Sequence, residues 1–230
     1  MCFSLSASFV AGSILSVIGV ATISKVKAPS QFMFASLPLI FAIQQFTEGF
    51  VWLALSNSNY NEWQQIPITI FLIIAQLIWP VWVPLSILLV EKNTKRKKIL
   101  SGLLVMGTML SIYLAYCLLI YNVSATITPY HIRYTLDFPN QHIPYFAVLY
   151  FLPTILPPFI SSNKKMLLLG TLILTSFLFT VFFFNDYILS VWCFFSALIS
   201  GIVYLIVKKL NEKEVFTPNV VESILPIEIS

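Results

Sequence analysis

The sequence predicts an all-α membrane protein, a bundle of seven transmembrane helices with its N-terminus outside and its C-terminus in the cytoplasm. Three observations support this. The chain of 230 residues is 58% hydrophobic and 10% charged, whereas soluble proteins are about a quarter charged. Its apolar residues form seven runs of about 20 residues, the length at which a helix crosses the bilayer. Twelve of its thirteen Lys and Arg residues follow every second run.

The positions of these cations predict the orientation, because Lys and Arg in short loops stay on the cytoplasmic side. The clusters after the first, third, fifth and seventh runs are Lys25, Lys27, Lys92, Lys95, Arg96, Lys97, Lys98, Lys164, Lys165, Lys208, Lys209 and Lys213. The gaps after the second, fourth and sixth runs together hold one cation, Arg133. Most of the net charge of +4 is therefore a topology signal. It indicates the lipid bilayer as a partner and gives no support for a nucleic-acid partner.

Hydropathy predicts the spans and the domain organisation. The spans are residues 5–24, 32–55, 68–90, 99–121, 145–160, 166–184 and 188–207. They are expected to be helices, because backbone polar groups inside a bilayer must be satisfied within the segment. Residues 1–209 form one transmembrane domain. Residues 210–230 form a cytoplasmic tail, which we expect to be disordered after Glu214.

Small residues and prolines predict how the helices pack. Small residues spaced by four let helices approach closely in lipid. They are Ser4, Ser8, Gly12 and Ser16 in the first span, Gly107, Ser111 and Ala115 in the fourth, and Cys193, Ala197 and Gly201 in the seventh. Internal prolines kink helices and favour internal cavities. They are Pro80 and Pro84 in the third span and Pro153, Pro157 and Pro158 in the fifth.

The outer loop at residues 122–144 contains an alternating segment. Polar His131, Arg133, Thr135 and Asp137 alternate with apolar Ile132, Tyr134, Leu136 and Phe138. Alternation of this kind is typical of an extended segment with one buried face. The alternation suits a short extended segment that lies over the bundle like a lid, whereas an ordinary amphipathic loop is the favoured interpretation.

Glu48 is the acidic or basic residue that falls inside a predicted span. A carboxylate at bilayer depth is costly, so such a residue is usually paired, protonated or beside a cavity. Gln44, Gln45 and Trp52 lie within one turn of it, and Gln76 reaches about the same depth. These residues predict a ligand-binding cavity that opens to the outside. Its predicted residues are Glu48, Gln44, Gln45, Trp52, Gln76, Trp79, His131, Arg133 and Trp192.

Two other interpretations concern the same polar residues. A packing role for Glu48 stays open, and a metal site carries little weight. Glu48 could instead serve packing alone, as a protonated group that is hydrogen-bonded across helices to Gln76 or a serine. The three cysteines, with His131 and Glu48, lack the CxxC and HxxxH spacings of metal sites, so no metal site is predicted. The sequence identifies neither a cofactor nor a catalytic residue.

The leading functional hypothesis is binding or translocation of a small polar or protonatable ligand at Glu48. One alternative is an intramembrane enzyme that acts on a lipid headgroup, with Glu48 or His131 as acid or base. Another is a sensor or assembly protein without catalysis. The scarcity of catalytic groups favours the non-enzymatic hypotheses. The sequence does not predict an oligomeric state.

Three sequence segments carry a resemblance to a known family. They are the start Met-Cys-Phe-Ser-Leu-Ser-Ala-Ser, the segment Gln-Gln-Phe-Thr-Glu-Gly at residues 44–49 with Trp52, and Trp-Pro-Val-Trp at residues 79–82. The chain resembles uncharacterised bacterial integral membrane proteins that begin Met-Cys-Phe-Ser, over most of the seven spans. The resemblance implies a location in the inner membrane. It implies no activity, since the family has none established.

Overall fold

The computed structural model describes residues 4–128, 130–139, 144–192 and 195–215. Five helices in this part of the chain are long and apolar enough to span a membrane, which indicates an integral membrane protein. They are Leu5–Ile23, Pro29–Ser56, Gln65–Val90, Thr94–Ile120 and Lys164–Phe183. Each overlaps one of the spans that hydropathy predicts, with ends that differ by a few residues.

Short breaks divide several of these segments into separate helices. The elements are α1 (Leu5–Ile23), α2 (Pro29–Ala35), α3 (Leu37–Ser56), α4 (Gln65–Leu72), α5 (Trp79–Val90), α6 (Thr94–Ile120), β1 (Val123–Thr128), β2 (His131–Leu136), α7 (Pro144–Ile155), α8 (Pro157–Ile160), α9 (Lys164–Phe183), α10 (Ile188–Trp192) and α11 (Ser196–Val215). A π-helical stretch, Ile73–Ile78, joins α4 to α5; it is called the π segment below.

The fifth predicted span is discontinuous, and the described residues of the seventh include two helices. The fifth consists of α7, which contains Pro153, and the four-residue α8, which begins at Pro157. Adjacent prolines supply no backbone N–H, so the helix ends before them and restarts. The seventh consists of the short α10 and of α11, which continues to Val215. The predicted disordered tail falls mostly on residues 216–230, outside the described residues.

The alternating segment and the residues before it form a β-hairpin, a two-stranded sheet beside the helices. The end of the bundle that carries the hairpin is called the outer end below, after the predicted topology, and the opposite end is called the inner end. Strands β1 and β2 are antiparallel, with Val123 opposite Leu136 and Thr128 opposite His131. Ile132 and Phe138 are buried, whereas Arg133 is exposed, as the alternation predicts. The amide of Gln65, at the outer end of α4, donates to the Val123 carbonyl over 3.3 Å. The hairpin therefore packs on the outer helix ends, and the extended segment is confirmed.

Close helix packing at small residues is confirmed in α1. A Cβ on Gly12 would lie 3.0 Å from the Phe46 ring, and one on Gly19 would lie 2.4 Å from the Leu39 side chain. The corresponding prediction for α11 is wrong at Gly201, where a Cβ would meet nothing within 4 Å. Cys193 lies outside the described residues. The helix surface at Gly201 is thus open, because no neighbour approaches it.

Two asparagines start the helices on the predicted inner side. The Asn93 side chain accepts hydrogen bonds from the backbone N–H groups of Lys95 and Arg96. The Asn163 side chain accepts one from Lys165 in the same way. N-caps of this kind satisfy backbone donors that have no partner within the helix. Both loops therefore turn directly into helices.

The buried Glu91 joins these two inner loops. Its carboxylate accepts from the Ser162 N–H at 2.6 Å, from the Ser162 hydroxyl at 2.7 Å, and from the N–H groups of Lys92 and Asn93 at 2.9 Å each. Desolvation acts to raise the pKa of Glu91, but these hydrogen bonds outweigh it and lower the pKa to about 2. The carboxylate is thus held in its charged form between two loops.

Candidate ligand-binding cavity

Two backbone carbonyls of the π segment accept hydrogen bonds from side chains of neighbouring helices. A π-helix pairs residue i with residue i+5, so the missing N–H of Pro80 removes the donor for the Ala75 carbonyl. The Tyr150 hydroxyl of α7 donates to that carbonyl at 2.5 Å. The Ser111 hydroxyl of α6 donates to the Leu77 carbonyl at 2.8 Å. Side chains of neighbouring helices commonly satisfy proline-freed groups in membranes, and here they attach α6 and α7 to the kink.

The proline kink at the start of α5 also requires a glycine on the facing helix, α6. Pro84 has no N–H for the Pro80 carbonyl, and that carbonyl points at Gly107 of α6. A Cβ at Gly107 would lie 1.9 Å from the carbonyl oxygen and 3.1 Å from Cβ of Pro153. The predicted close approach at Gly107 is therefore confirmed. It brings α5, α6 and α7 together at one level of the bundle.

A cavity of about 380 Å³ lies beside this contact. Its walls include residues from an outer hydrophobic cluster, such as Leu114 and Phe138, and from an inner one, such as Trp79 and Ile173. Most of the lining is aliphatic or aromatic. The lining side chains that carry amide or hydroxyl groups are Gln44, Gln76, Tyr113, Tyr150 and Thr154. The cavity is thus an apolar space with a few polar groups.

Four of the predicted site residues line this cavity: Gln44, Gln76, Trp79 and Trp192. The Trp79 indole N–H donates to the Gln44 amide oxygen over 2.9 Å, which joins α5 to α3. The Trp192 indole N–H donates to the Ser176 hydroxyl over 3.1 Å, which joins α10 to α9. Both tryptophans therefore have fixed ring positions in the wall.

Gln76 differs from these residues in its hydrogen bonding. It belongs to the π segment and is 8% exposed. Its amide oxygen is buried and accepts no hydrogen bond from any residue in the described part of the chain. A buried amide without a partner costs about 1–3 kcal/mol. Gln76 thus presents an acceptor that a ligand could use.

Glu48, Gln45 and Trp52 are buried but do not line this cavity. Glu48 is 0% exposed, and the Ser190 hydroxyl of α10 donates to its Oε1 at 2.5 Å. This is an interhelical bond of the kind that the packing alternative predicts. Trp52 belongs to the outer hydrophobic cluster. The group around Glu48 therefore holds α10 against α3, one turn above Gln44.

His131 and Arg133 hold the hairpin rather than line the cavity. The His131 ring packs on Phe184 and Tyr187, with centroids 5.3 and 4.8 Å away. Burial lowers the pKa of His131, because desolvation penalises the imidazolium. Arg133 forms an ion pair of 2.7 Å with Asp186 and lies 5.7 Å from the centroid of the Tyr187 ring. These contacts fasten β2 to the turn between α9 and α10.

The hairpin nevertheless contributes to the cavity through other residues. Leu136, Phe138 and Pro139, at and after the end of β2, line it. Sequence reasoning missed them as site residues, and it also missed the polar Tyr150 and Thr154. Tyr150 and Thr154 lie one helical turn apart beside Pro153, and this spacing could have indicated them as site residues. The lid prediction thus holds in part, since the end of the hairpin forms the outer wall.

Among the described residues, no group of three His, Cys, Asp or Glu side chains is placed to hold a metal ion. Cys117 is buried and carries a free thiol. Cys2, Cys193 and His142 lie outside the described residues.

The fold and cavity define the protein as an integral membrane protein with an internal, mainly apolar cavity. Residues 1–217 match DUF6629, a family of unknown function. The chain therefore belongs to that family, which agrees with its resemblance to uncharacterised proteins. No curated protein and no solved structure matches it.

Proposed function

We propose that the protein binds a largely apolar small molecule in the central cavity. In this proposal it crosses the inner membrane seven times, with its N-terminus outside. The broken segments α7–α8 and α10–α11 serve as the fifth and seventh spans. The alternation of Lys- and Arg-rich loops supports this topology, and Asn93 and Asn163 begin helices in two of those loops.

The composition of the cavity supports an apolar ligand. Its volume of about 380 Å³ falls within the range of about 300–1,000 Å³ that is usual for ligand pockets. Such pockets combine apolar walls with a few polar groups that orient the ligand. A strongly polar ligand would leave its own groups without partners against walls such as Ile173 and Phe177. The ligand therefore has an apolar body and few polar atoms.

The single observation that carries the proposal is the buried amide oxygen of Gln76 in this apolar wall. A ligand hydroxyl, amine or protonated carboxyl could donate to it and recover the cost of its burial. Gln44, Trp79 and Trp192 would then form the surrounding wall. This proposal differs from the hypothesis of a small polar or protonatable ligand at Glu48: the ligand is mainly apolar, and its polar end lies at Gln76. Glu48 supports the cavity by joining α3 to α10.

The test is purification in native lipid, followed by mass spectrometry of the small molecules that accompany the protein. Gln76→Leu is expected to lower the amount of bound molecule about tenfold, since one hydrogen bond of about 1.4 kcal/mol is lost. Thermal stability should stay the same or rise, because Leu removes an amide without a partner.

Ser111→Ala is the matched control. Ser111 is buried in the same region and donates to the Leu77 carbonyl, but it does not line the cavity. This substitution should lower the free energy of unfolding by about 1 kcal/mol and leave ligand content unchanged. A wild-type protein that carries no stoichiometric small molecule, or equal binding by the wild type and Gln76→Leu, would refute the proposal.

A further inference from the structure

A groove runs along the surface of α6 beside α7. It is lined by residues of α6 from Gly102 to Tyr113 and by Leu149 of α7. Met109 in this groove is 67% exposed and Leu149 is 39% exposed. Apolar side chains that are exposed on a membrane-spanning helix face lipid chains. The groove is therefore open to the bilayer.

The groove and the central cavity share a wall. Leu110 and Tyr113 line both. Leu110 is buried and Tyr113 is half-buried, so these two side chains form the boundary between lipid and cavity. The Tyr113 hydroxyl donates to the Pro139 carbonyl over 3.3 Å, and Pro139 also lines the cavity. Rotation of Tyr113 would break this bond and connect the two spaces.

The depth of the groove restricts what can enter it. The helical rise of 1.5 Å per residue places Gly102 about 12 Å from the inner end of α6, at Thr94. Tyr113 lies about 10 Å from the outer end, at Ile120, by the same rise. The groove thus opens in the hydrocarbon layer. A molecule that enters there must already be dissolved in the bilayer.

We propose that the ligand is a lipid with one apolar chain and a small head that donates a hydrogen bond, and that it enters sideways from the bilayer past Leu110 and Tyr113. This inference rests on the proposed function, since it names the ligand class of the same cavity. The apolar chain matches the aliphatic and aromatic walls, and the head matches the Gln76 oxygen. Entry from the bilayer keeps the chain out of water throughout.

The probe is dibromostearic acid, added to proteoliposomes that contain the full-length protein. Its bromine atoms quench tryptophan fluorescence on contact. Trp79 is 8% exposed and lines the cavity, so its slow quenching reports entry, whereas lipid-facing tryptophans are quenched at once. Trp192 also lines the cavity, so partial loss of the slow phase in Trp79→Phe and complete loss in the double variant Trp79→Phe with Trp192→Phe assign that phase to the cavity.

Met109→Phe narrows the groove, and Ile112→Phe is the matched control. Ile112 lies on the same helix outside the groove and is 66% exposed, against 67% for Met109. Met109→Phe should slow the quenching of Trp79 about tenfold without changing its final extent, and Ile112→Phe should leave the rate unchanged. Gly102→Leu should also slow it; a Cβ there meets nothing within 4 Å, so the variant is expected to fold.

The outcomes separate this inference from the proposed function. Slow quenching at the wild-type rate in both groove variants would overturn the lateral route. Absence of a Trp79 phase in the wild type would overturn the assignment of a lipid ligand. The copurification experiment with Gln76→Leu decides independently whether the cavity binds any small molecule.

Discussion

The two ends of the bundle hold their charged groups in opposite ways. At the outer end, the ion pair of Arg133 and Asp186 is exposed, with side chains 44% and 63% accessible. At the inner end, Glu91 is 3% exposed, and Arg96 donates to the carbonyls of Ile160 and Ser161 at 2.8 and 2.6 Å. Exposed ion pairs contribute about 0–1 kcal/mol, whereas hydrogen bonds in which one group is charged are roughly twice as strong as those between neutral groups.

This difference indicates which end can open. The inner loops are attached to each other by hydrogen bonds of the charged Glu91 and Arg96 side chains with residues 160–162, so α5, α6, α8 and α9 are fixed relative to one another there. The hairpin at the outer end is held by Val123, Ala125, Ile132 and Phe138, which are buried in the outer hydrophobic cluster, and by stacking of Tyr134 on Phe71 with ring centroids 4.6 Å apart. Its ion pair and the Tyr113 hydrogen bond are exposed. Rotation of Tyr113, whose hydrogen bond to the Pro139 carbonyl is exposed, would therefore cost less than movement of the inner loops.

The largest expected loss of stability is at Glu91. Glu91→Gln removes the charge that four hydrogen bonds stabilise and brings an amide NH₂ toward the Ser162 donors. We expect a loss of about 3 kcal/mol in the free energy of unfolding, the value that corresponds to a pKa lowered from 4.5 to about 2. Denaturant titration in detergent would measure it. The exposed Glu62→Gln is the control, and equal losses in both would contradict the role of Glu91.

The loss of folding stability at low pH should be nearly as large as the loss in Glu91→Gln. Because the pKa of Glu91 is lowered by folding, its contribution is complete above pH 4.5 and is lost as the pH falls toward about 2. Thermal unfolding across this range should show a stability loss in the wild type that is reduced in Glu91→Gln. Identical pH profiles for the two proteins would show that other groups control acid stability.

A smaller effect is expected at Arg96. Arg96→Lys keeps the charge, and so the topology signal, but an ammonium group cannot reproduce the guanidinium geometry toward two carbonyls. We expect a loss of about 1–2 kcal/mol in the free energy of unfolding. Lys97→Arg is the reciprocal control at an exposed neighbour and should change nothing measurable. If both exchanges leave the unfolding midpoint unchanged, the inner end is not held by Arg96.

The smallest effect is expected at the outer end. Arg133→Ala should lower the free energy of unfolding by about 1 kcal/mol or less, since it removes an exposed ion pair and a cation–π contact with Tyr187. The difference should shrink at high salt, because screening weakens exposed pairs. Hydrogen exchange should show faster exchange in β1 and β2 and no change around Glu91. A loss as large as that of Glu91→Gln would contradict the comparison.

The two ends also show how far the sequence predicts this fold. Segment 91–98 was interpreted as a topology signal, and the exposed Lys92, Lys95, Lys97 and Lys98 agree with that role. Its Glu91 and Arg96 form tertiary contacts with residues 160–162, about 70 positions away. No local pattern contains that partner. At the outer end, alternation predicted the extended β2 but not the paired strand β1, whose sequence Val-Ser-Ala-Thr-Ile-Thr adjoins the predicted span.

For the candidate site, too, the sequence predicts some features and not others. Counting residues along a helix predicts the depth of a side chain, and it placed Gln44, Gln76, Trp79 and Trp192 in one region. All four line the cavity. Counting does not predict which neighbouring helix a side chain meets at its own level of the bundle. Glu48 follows Gln44 by one turn, yet its carboxylate contacts Ser190 instead of lining the cavity.

The sequence by itself determined that this is a helical membrane protein, because apolar runs of spanning length and cation-rich loops are local properties that the bilayer selects. Tertiary structure alone decided where the cavity lies. That position depends on the π segment, on the contact of Gly107 with Pro80, and on the hydroxyls of Ser111 and Tyr150 that satisfy its carbonyls. These groups come from three helices, so their arrangement follows from packing that no single stretch of sequence encodes.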